Sequence, residues 1–121
     1  MARPVASEHA EQVAVIQWWD RACRVYGFPP YALMAIPNAG KRSYAAAAWM
    51  RAEGLRSGVP DLFLAVPRVA LGGLWIEMKR KPNKPDAKQE EVMAYLSLRY
   101  AVRVCYSAEE AITEIKEWLK T

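Results

Sequence analysis

Apolar side chains recur at helical spacing near the start of the chain. Over residues 7–26 the positions on one face of such a helix are Val15, Trp19, Ala22, Cys23 and Tyr26. Ser7 is suited to cap the N-terminus of this helix, and Gly27 is suited to end it. The pattern therefore predicts a first helix over residues 7–26 with this face turned toward the core.

Two polar residues share that apolar stripe. Counting back from Trp19 at about 3.6 residues per turn places Gln12 and Glu8 on the stripe and Glu11 at its edge. Polar side chains seldom face a core without a reason. The start of the first helix therefore carries a carboxylate that packing alone does not explain.

Strand-like and helical patterns alternate through the rest of the chain. They predict a strand over 31–38, a helix over 43–53, strands over 60–66 and 74–80, a helix over 86–100, a strand over 101–106 and a helix over 107–120. Residues 67–73 join the middle two strands, most simply as an antiparallel hairpin. In the third helix, Val92, Tyr95 and Leu96 are expected to face inward. The predicted fold is α/β, with a sheet flanked by helices.

Length and composition limit the class of protein. A chain of 121 residues, 53% hydrophobic and 25% charged, is expected to form one globular domain over residues 1–121. No apolar stretch approaches the length of roughly 20 residues that a membrane helix needs, and the N-terminus lacks the apolar core of a signal peptide. We therefore expect a soluble, intracellular protein without a membrane partner. Cys23 and Cys105 are too far apart to indicate a zinc or disulfide framework. A phosphate-binding GxxxxGK[ST] loop is missing, so no nucleotide cofactor is expected.

Basic residues are concentrated in two loop-like stretches. The net charge is +4, and lysine and arginine cluster in residues 39–43 and 79–88. Such clusters suit contacts with a phosphate backbone, although solvated loops have the same composition. The lone histidine, His9, has no second histidine to join it, which argues against a zinc hydrolase.

The chemistry is concentrated in the predicted hairpin. Asp61 stands at the head of the apolar run in "GVPDLFL", and side-chain alternation in "LWIEMKR" puts Trp75, Glu77 and Lys79 on one face. An antiparallel hairpin can bring Asp61 beside Glu77. Two neighbouring carboxylates repel unless a cation neutralises them, and oxygen ligands suit Mg²⁺ or Mn²⁺.

Pro60-Asp61 followed by Glu77-Met78-Lys79 resembles the PD-(D/E)xK nuclease signature. Together with "SEHAEQ", "IPNAGKRS" and "KQEEVMAYL", these motifs make the chain similar to the VRR-NUC, or virus-type replication-repair nuclease, domain over residues 7–119. The resemblance implies a restriction-endonuclease-like mixed sheet flanked by helices. It also implies an Mg²⁺- or Mn²⁺-dependent enzyme that hydrolyses phosphodiester bonds in DNA.

The same resemblance implies roles for individual residues. Asp61, Glu77 and the backbone carbonyl of Met78 would bind the metal, and Lys79 would orient or help deprotonate the attacking water. Gln89 would steady Lys79 or the nucleophile, or act only in the capping box that opens its helix. The helix-one carboxylate would be Glu8 or Glu11; the inward stripe favours Glu8. Further expected contacts are to the DNA backbone, from Asn38, Lys41, Arg42, Arg80, Lys81 and Lys84.

Stand-alone relatives of this kind are homodimers that act on branched DNA such as four-way, or Holliday, junctions. The resemblance therefore implies a DNA-associated repair enzyme that resolves junctions as a homodimer. It is also compatible with a protein encoded by a phage. Two alternatives stay open: a flap-cutting or restriction-like nuclease of the same fold, and a non-catalytic DNA-binding module. Intact Asp61, Glu77 and Lys79 argue against the second alternative.

Overall fold

The computed structural model describes residues 7–38, 40 and 42–120 of the protein. In chain order the helices and strands are α1 (Glu8–Ala22), β1 (Leu33–Ala35), α2 (Tyr44–Ala52), β2 (Leu62–Leu64), β3 (Leu74–Met78), α3 (Ala87–Leu96), β4 (Ala101–Cys105) and α4 (Ala108–Leu119). A short 3₁₀ turn, Pro30–Ala32, precedes β1 and was not expected from the sequence. The order of helices and strands is the predicted one.

The four strands form one mixed sheet in the order β1-β2-β3-β4. Strands β1, β2 and β3 pair antiparallel, so the predicted hairpin is present, and β4 pairs parallel to β3. Parallel neighbours need a crossover connection, and α3 supplies it. The predicted α/β class, a mixed sheet flanked by helices, is confirmed.

The hydrophobic core lies on one face of the sheet. Leu62, Leu74 and Ile76 point to this face and pack with α1 and α4, which supply Val15 and Ile115 among others. All five side chains are at most 1% exposed. Apolar burial of this kind stabilises a fold by about 25 cal/mol per Å². The core therefore fixes β2 and β3 rigidly from behind.

Aromatic side chains occupy the opposite face. Phe63 and Trp75 face each other across β2 and β3 with ring centroids 4.4 Å apart, and Tyr100 packs edge-on against both. The Trp75 indole N–H is buried without a hydrogen-bond partner in the described part of the chain. This face also carries the polar residues of the candidate site.

The sequence placed three features of the helices wrongly. α1 ends at Ala22 rather than near residue 26, because residues 23–27 form tight turns instead of a further helical turn. The last of these residues is Gly27, whose φ is +87°. Tyr26 therefore lies in that turn and is 38% exposed. α3 ends at Leu96 rather than near residue 100, and it rests on the sheet only loosely, with no fully buried residue. Tyr95, which was expected to face inward, is 73% exposed. The other two residues expected to face inward, Val92 and Leu96, are half-buried.

Both cysteines lie in the core as free thiols, in keeping with their sequence spacing. Burial raises the pKa of the Cys105 thiol to about 12, so this sulfur stays protonated and inert. Across the described ranges, every helix is too short or too polar to cross a membrane.

Candidate active site

The hairpin register brings two carboxylates together. Leu62 pairs with Ile76 in the antiparallel ladder, so Asp61 and Glu77 stand opposite each other one residue further along. The Asp61 carboxylate accepts a hydrogen bond from the Met78 backbone N–H at 2.8 Å, and the Asp61 carbonyl accepts one from the Ile36 N–H at 2.8 Å. The side chain and the backbone of Asp61 are thus held from both neighbouring strands.

Glu77 is the buried member of this pair. It is 2% exposed, and burial raises its pKa from 4.5 to about 9, with a hydrogen bond and the negative charge of Asp61 adding to the rise. A carboxylate in such a place prefers to hold a proton until a cation replaces it. Its Oε2 atom is buried and has no hydrogen-bond partner among the described residues.

Lys79 follows on the same face of the sheet, two residues beyond Glu77. Its backbone N–H donates to the Cys105 carbonyl at 2.9 Å, which extends the pairing of β3 with β4 by one step. The side chain is half-buried, and its positive charge counteracts the rise in the Glu77 pKa. The ammonium therefore lies close enough to act electrostatically on the carboxylate pair.

The structure separates the two candidate carboxylates of α1. The negative charge of Glu8 adds the smallest of the contributions that shift the Glu77 pKa, and it acts to raise that pKa. Glu11 instead accepts a hydrogen bond at 2.6 Å from the backbone N–H of Ala108, at the start of α4. A carboxylate at a helix N-terminus is a stabilising cap. Glu11 therefore has a structural contact with α4, and the assignment of Glu8 to the site stays a prediction.

Gln89 takes part in the capping box of α3. Its side-chain oxygen accepts from the Asp86 backbone N–H at 2.9 Å, and its own backbone N–H donates to the Asp86 carboxylate at 2.8 Å. The capping alternative is thus realised in this structure. The role of Gln89 toward Lys79 stays a prediction.

The predicted DNA contacts that the structure describes lie around the same end of the sheet. Asn38 and Arg42 are exposed, and the Arg42 guanidinium donates to the Asn38 carbonyl at 3.3 Å; Lys41 between them lies outside the described residues. The remaining predicted contacts are on the segment that follows β3, namely Arg80, Lys81 and Lys84. Lys81 holds its ammonium 5.6 Å from the centre of the Tyr106 ring.

A further basic group was missed by the sequence reasoning. Arg51, Arg56 and Lys88 line a cavity of about 480 Å³ that also touches Val59, two residues before Asp61. Lys88 pairs with Glu91 at 2.7 Å, whereas no ion pair involving either arginine is found in the described part of the chain. The three residues come from α2, the following loop and α3, so their spacing in the sequence gives no sign that they meet.

A larger cavity lies away from the carboxylates. It has a volume of about 640 Å³ and lies between the β2–β3 turn and the C-terminal end of α4. Arg103 and Glu114 in its wall form an ion pair at 3.2 Å. Its charges are largely paired, and none of the predicted catalytic residues lines it.

The donor atoms at the sheet end fit a hard divalent cation. Asp61 and Glu77 offer carboxylate oxygens, and the partnerless Oε2 of Glu77 is the kind of buried atom that a cation would satisfy. A cluster of three or more acidic, histidine or cysteine side chains is not found in the described ranges. A metal here would therefore need further ligands from backbone, water or phosphate, as Mg²⁺ commonly accepts.

Comparison with known proteins gives a consistent result. The family model of the VRR-NUC domain matches residues 6–109. A solved structure described as a "VRR_NUC domain protein" has a TM-score of 0.81 and 25% sequence identity, covering 98% of this chain and 92% of its own. Among curated proteins, a search finds no significant match.

Proposed function

The chain belongs to the VRR-NUC family of PD-(D/E)xK nucleases, and on that premise we propose that it is a divalent-metal-dependent DNA endonuclease. Its proposed substrate is branched DNA, including four-way junctions, which it cuts as a homodimer. The observation that carries the proposal is the juxtaposition of Asp61 and Glu77, with Lys79 on the same face and a buried carboxylate oxygen left without a partner among the described residues.

Asp61, Glu77 and the Met78 backbone carbonyl would hold Mg²⁺ or Mn²⁺, with Glu8 near them. When bound, such a cation lowers the pKa of a water molecule and offsets negative charge on the phosphate. Asp61 is suited to this position because two strands hold it by hydrogen bonds at 2.8 Å, which keeps the carboxylate in place without a metal.

Lys79 would act on the scissile phosphate and the attacking water. Lys79 is half-buried on the face of the carboxylate pair, where a charge acts more strongly than in open solvent. A donor held at this point stabilises the charge that develops on the phosphate oxygens, and losing one such donor commonly costs about 100-fold or more in rate.

DNA would cross the end of the sheet where these residues lie. Basic residues flank the carboxylates on two sides: Arg42 in the loop after β1, and Arg80 on the segment after β3. Arg51 and Arg56 add a basic cavity beside the start of β2. Arginine binds phosphate with two parallel hydrogen bonds, so these residues would position the backbone rather than select a sequence.

The homodimer follows from the substrate. Cutting two strands of a four-way junction symmetrically requires two active sites related by a two-fold axis. Sedimentation of the purified chain should give twice its monomer mass of 13.7 kDa.

The test is cleavage of a matched panel of DNA forms. A four-way junction, a 5′ flap, a splayed arm and a linear duplex are incubated with the protein and Mg²⁺, Mn²⁺ or EDTA. We expect cutting of branched forms with either metal and none with EDTA. Asp61→Ala and Lys79→Ala should abolish cutting while DNA binding persists, because neither change removes the flanking basic residues.

Glu11→Gln serves as the matched control, since it alters a carboxylate of α1 that contacts α4 instead of the site. Failure to cut any DNA form with either metal would contradict the enzyme proposal. Faster cutting of the 5′ flap or the linear duplex than of the junction would retain the nuclease and overturn the proposed substrate.

A further inference from the structure

Trp49 differs from the other four tryptophans of the chain. Trp19 and Trp118 donate their indole N–H groups to backbone carbonyls at 2.8 and 2.7 Å, Trp75 packs on Phe63, and Trp18 stacks near Trp19. Trp49 is 72% exposed. Within the part of the chain that the structure describes, its ring has no aromatic, cationic or hydrogen-bond partner.

The surroundings of Trp49 leave the ring open. At helical spacing the neighbours of Trp49, on α2 and at its C-terminal end, are Ala45, Ala46, Ala52 and Glu53, all exposed. Methyl groups are too short to cover an indole, whereas lysine or arginine stems often do. A large aromatic surface is therefore presented to solvent on α2.

This helix borders a cavity that reaches the segment after β1. Met50, next to Trp49 in the sequence, lines a cavity together with Ile36 and Pro37. The Ile36 N–H donates to the Asp61 carbonyl at 2.8 Å. The helix that carries Trp49 therefore borders the segment that is hydrogen-bonded to Asp61.

The charged residues near the ring are mostly cationic, which suits a nucleic acid. α2 contains no acidic residue and carries Arg51, and Arg42 lies just before it. The next acid in the sequence, Glu53, lines a cavity together with Arg56. DNA supplies phosphates for the arginines and flat bases for the ring.

We propose that Trp49 stacks on an unpaired or branch-point base of the DNA while the neighbouring arginines contact the backbone. This inference rests on the proposed DNA substrate and specifies how its branched form is recognised. Aromatic side chains stack on any base whose face is accessible, which explains a preference for structure without a preference for sequence. In a continuous duplex both faces of each base are already stacked, so Trp49 gains nothing there.

The experiment measures binding rather than cutting. Fluorescence anisotropy with EDTA present compares the protein and Trp49→Ala on a four-way junction, a single strand and a linear duplex of equal length. We expect Trp49→Ala to weaken junction and single-strand binding about tenfold and to leave duplex binding nearly unchanged. Trp49→Phe should keep most of the affinity, because phenylalanine also stacks.

Tyr31→Ala is the control. Tyr31 is also an exposed aromatic residue, at 77%, but it lies just before the start of β1, at the end of that strand away from Asp61. It should bind all three DNA forms like the unaltered protein. A 2-aminopurine at the branch point adds a direct readout: its fluorescence should be quenched on binding by the protein and not by Trp49→Ala.

Three results would overturn the inference: unchanged junction affinity in Trp49→Ala, an equal loss on junction and duplex, or conversion of a dimer to monomers. The last would assign Trp49 to an interface between copies. Trp49-dependent junction binding without any cleavage would support the inference while the nuclease proposal failed. Cleavage of branched DNA with unchanged Trp49→Ala binding would retain the nuclease proposal and overturn the role of Trp49.

Discussion

The raised pKa of Glu77 predicts an unusual pH dependence of stability in the metal-free protein. The folded chain keeps Glu77 protonated up to about pH 9, whereas the unfolded chain releases this proton near its ordinary value of 4.5. The group's stabilising contribution is therefore fully present below the unfolded pKa and is lost progressively as the pH rises toward the folded pKa. Substituting Glu77→Gln removes this titration and keeps the size of the side chain.

The magnitude follows from proton linkage. Each pH unit between the two pKa values costs about 1.4 kcal/mol for one proton. Because the folded pKa is about 9 and the side chain is 2% exposed, the full slope applies over the range in between. From about pH 5 to about pH 8, the free energy of unfolding should fall by roughly 4 kcal/mol more in the unaltered protein than in Glu77→Gln.

Urea denaturation in EDTA at several pH values measures this difference. Glu114→Gln, which removes a carboxylate from the exposed ion pair with Arg103, controls for the loss of one negative charge. Its stability curve should run parallel to that of the unaltered protein. Mn²⁺ should raise the unfolding midpoint of the unaltered protein more at high pH than at low pH, because the cation competes with the proton on Glu77. Parallel curves for the unaltered protein and Glu77→Gln would refute the reasoning.

Three further predictions concern residues around the carboxylate pair. Glu8→Gln should reduce metal-dependent cleavage strongly while leaving the urea midpoint nearly unchanged, because Glu8 acts on Glu77; equal cleavage would remove Glu8 from the site. Glu11→Ala should lower the free energy of unfolding by about 1–2 kcal/mol, because α4 loses the hydrogen bond that caps its start. Urea denaturation measures this loss, and cleavage at saturating metal should be unchanged. Arg51→Ala combined with Arg56→Ala should weaken duplex binding and reduce its salt slope by about 1 per lost phosphate contact, and Arg24→Ala, in the turn after α1, should leave that slope unchanged.

Local sequence patterns determined the succession of elements. Ser7, Ser43, Asp86 and Ser107 each accept a backbone hydrogen bond at the start of a helix, so the helix starts could be read from short-range chemistry. Alternation in β2 and β3 likewise indicated which residues share a face. These features depend on neighbours within about four positions, and the order of residues specifies them directly.

The helix ends and the exposed aromatic residues depended on tertiary structure. Periodicity placed Tyr95 inward, yet α3 rests on the sheet too loosely to bury it. The pattern also gave no reason to separate Trp49 from the other tryptophans. Whether an apolar side chain is covered depends on which elements pack over it, and residues distant in the sequence decide that.

The sequence by itself determined the α/β order and predicted the hairpin that can place Asp61 beside Glu77, because side-chain alternation within each strand is a local property. Only the tertiary structure showed that Glu11 contacts the start of α4, since that contact depends on where the two helices meet. It also assembled Arg51, Arg56 and Lys88 around one cavity. Such contacts join elements through their relative placement, and that placement is fixed by packing of the whole core rather than by any local pattern.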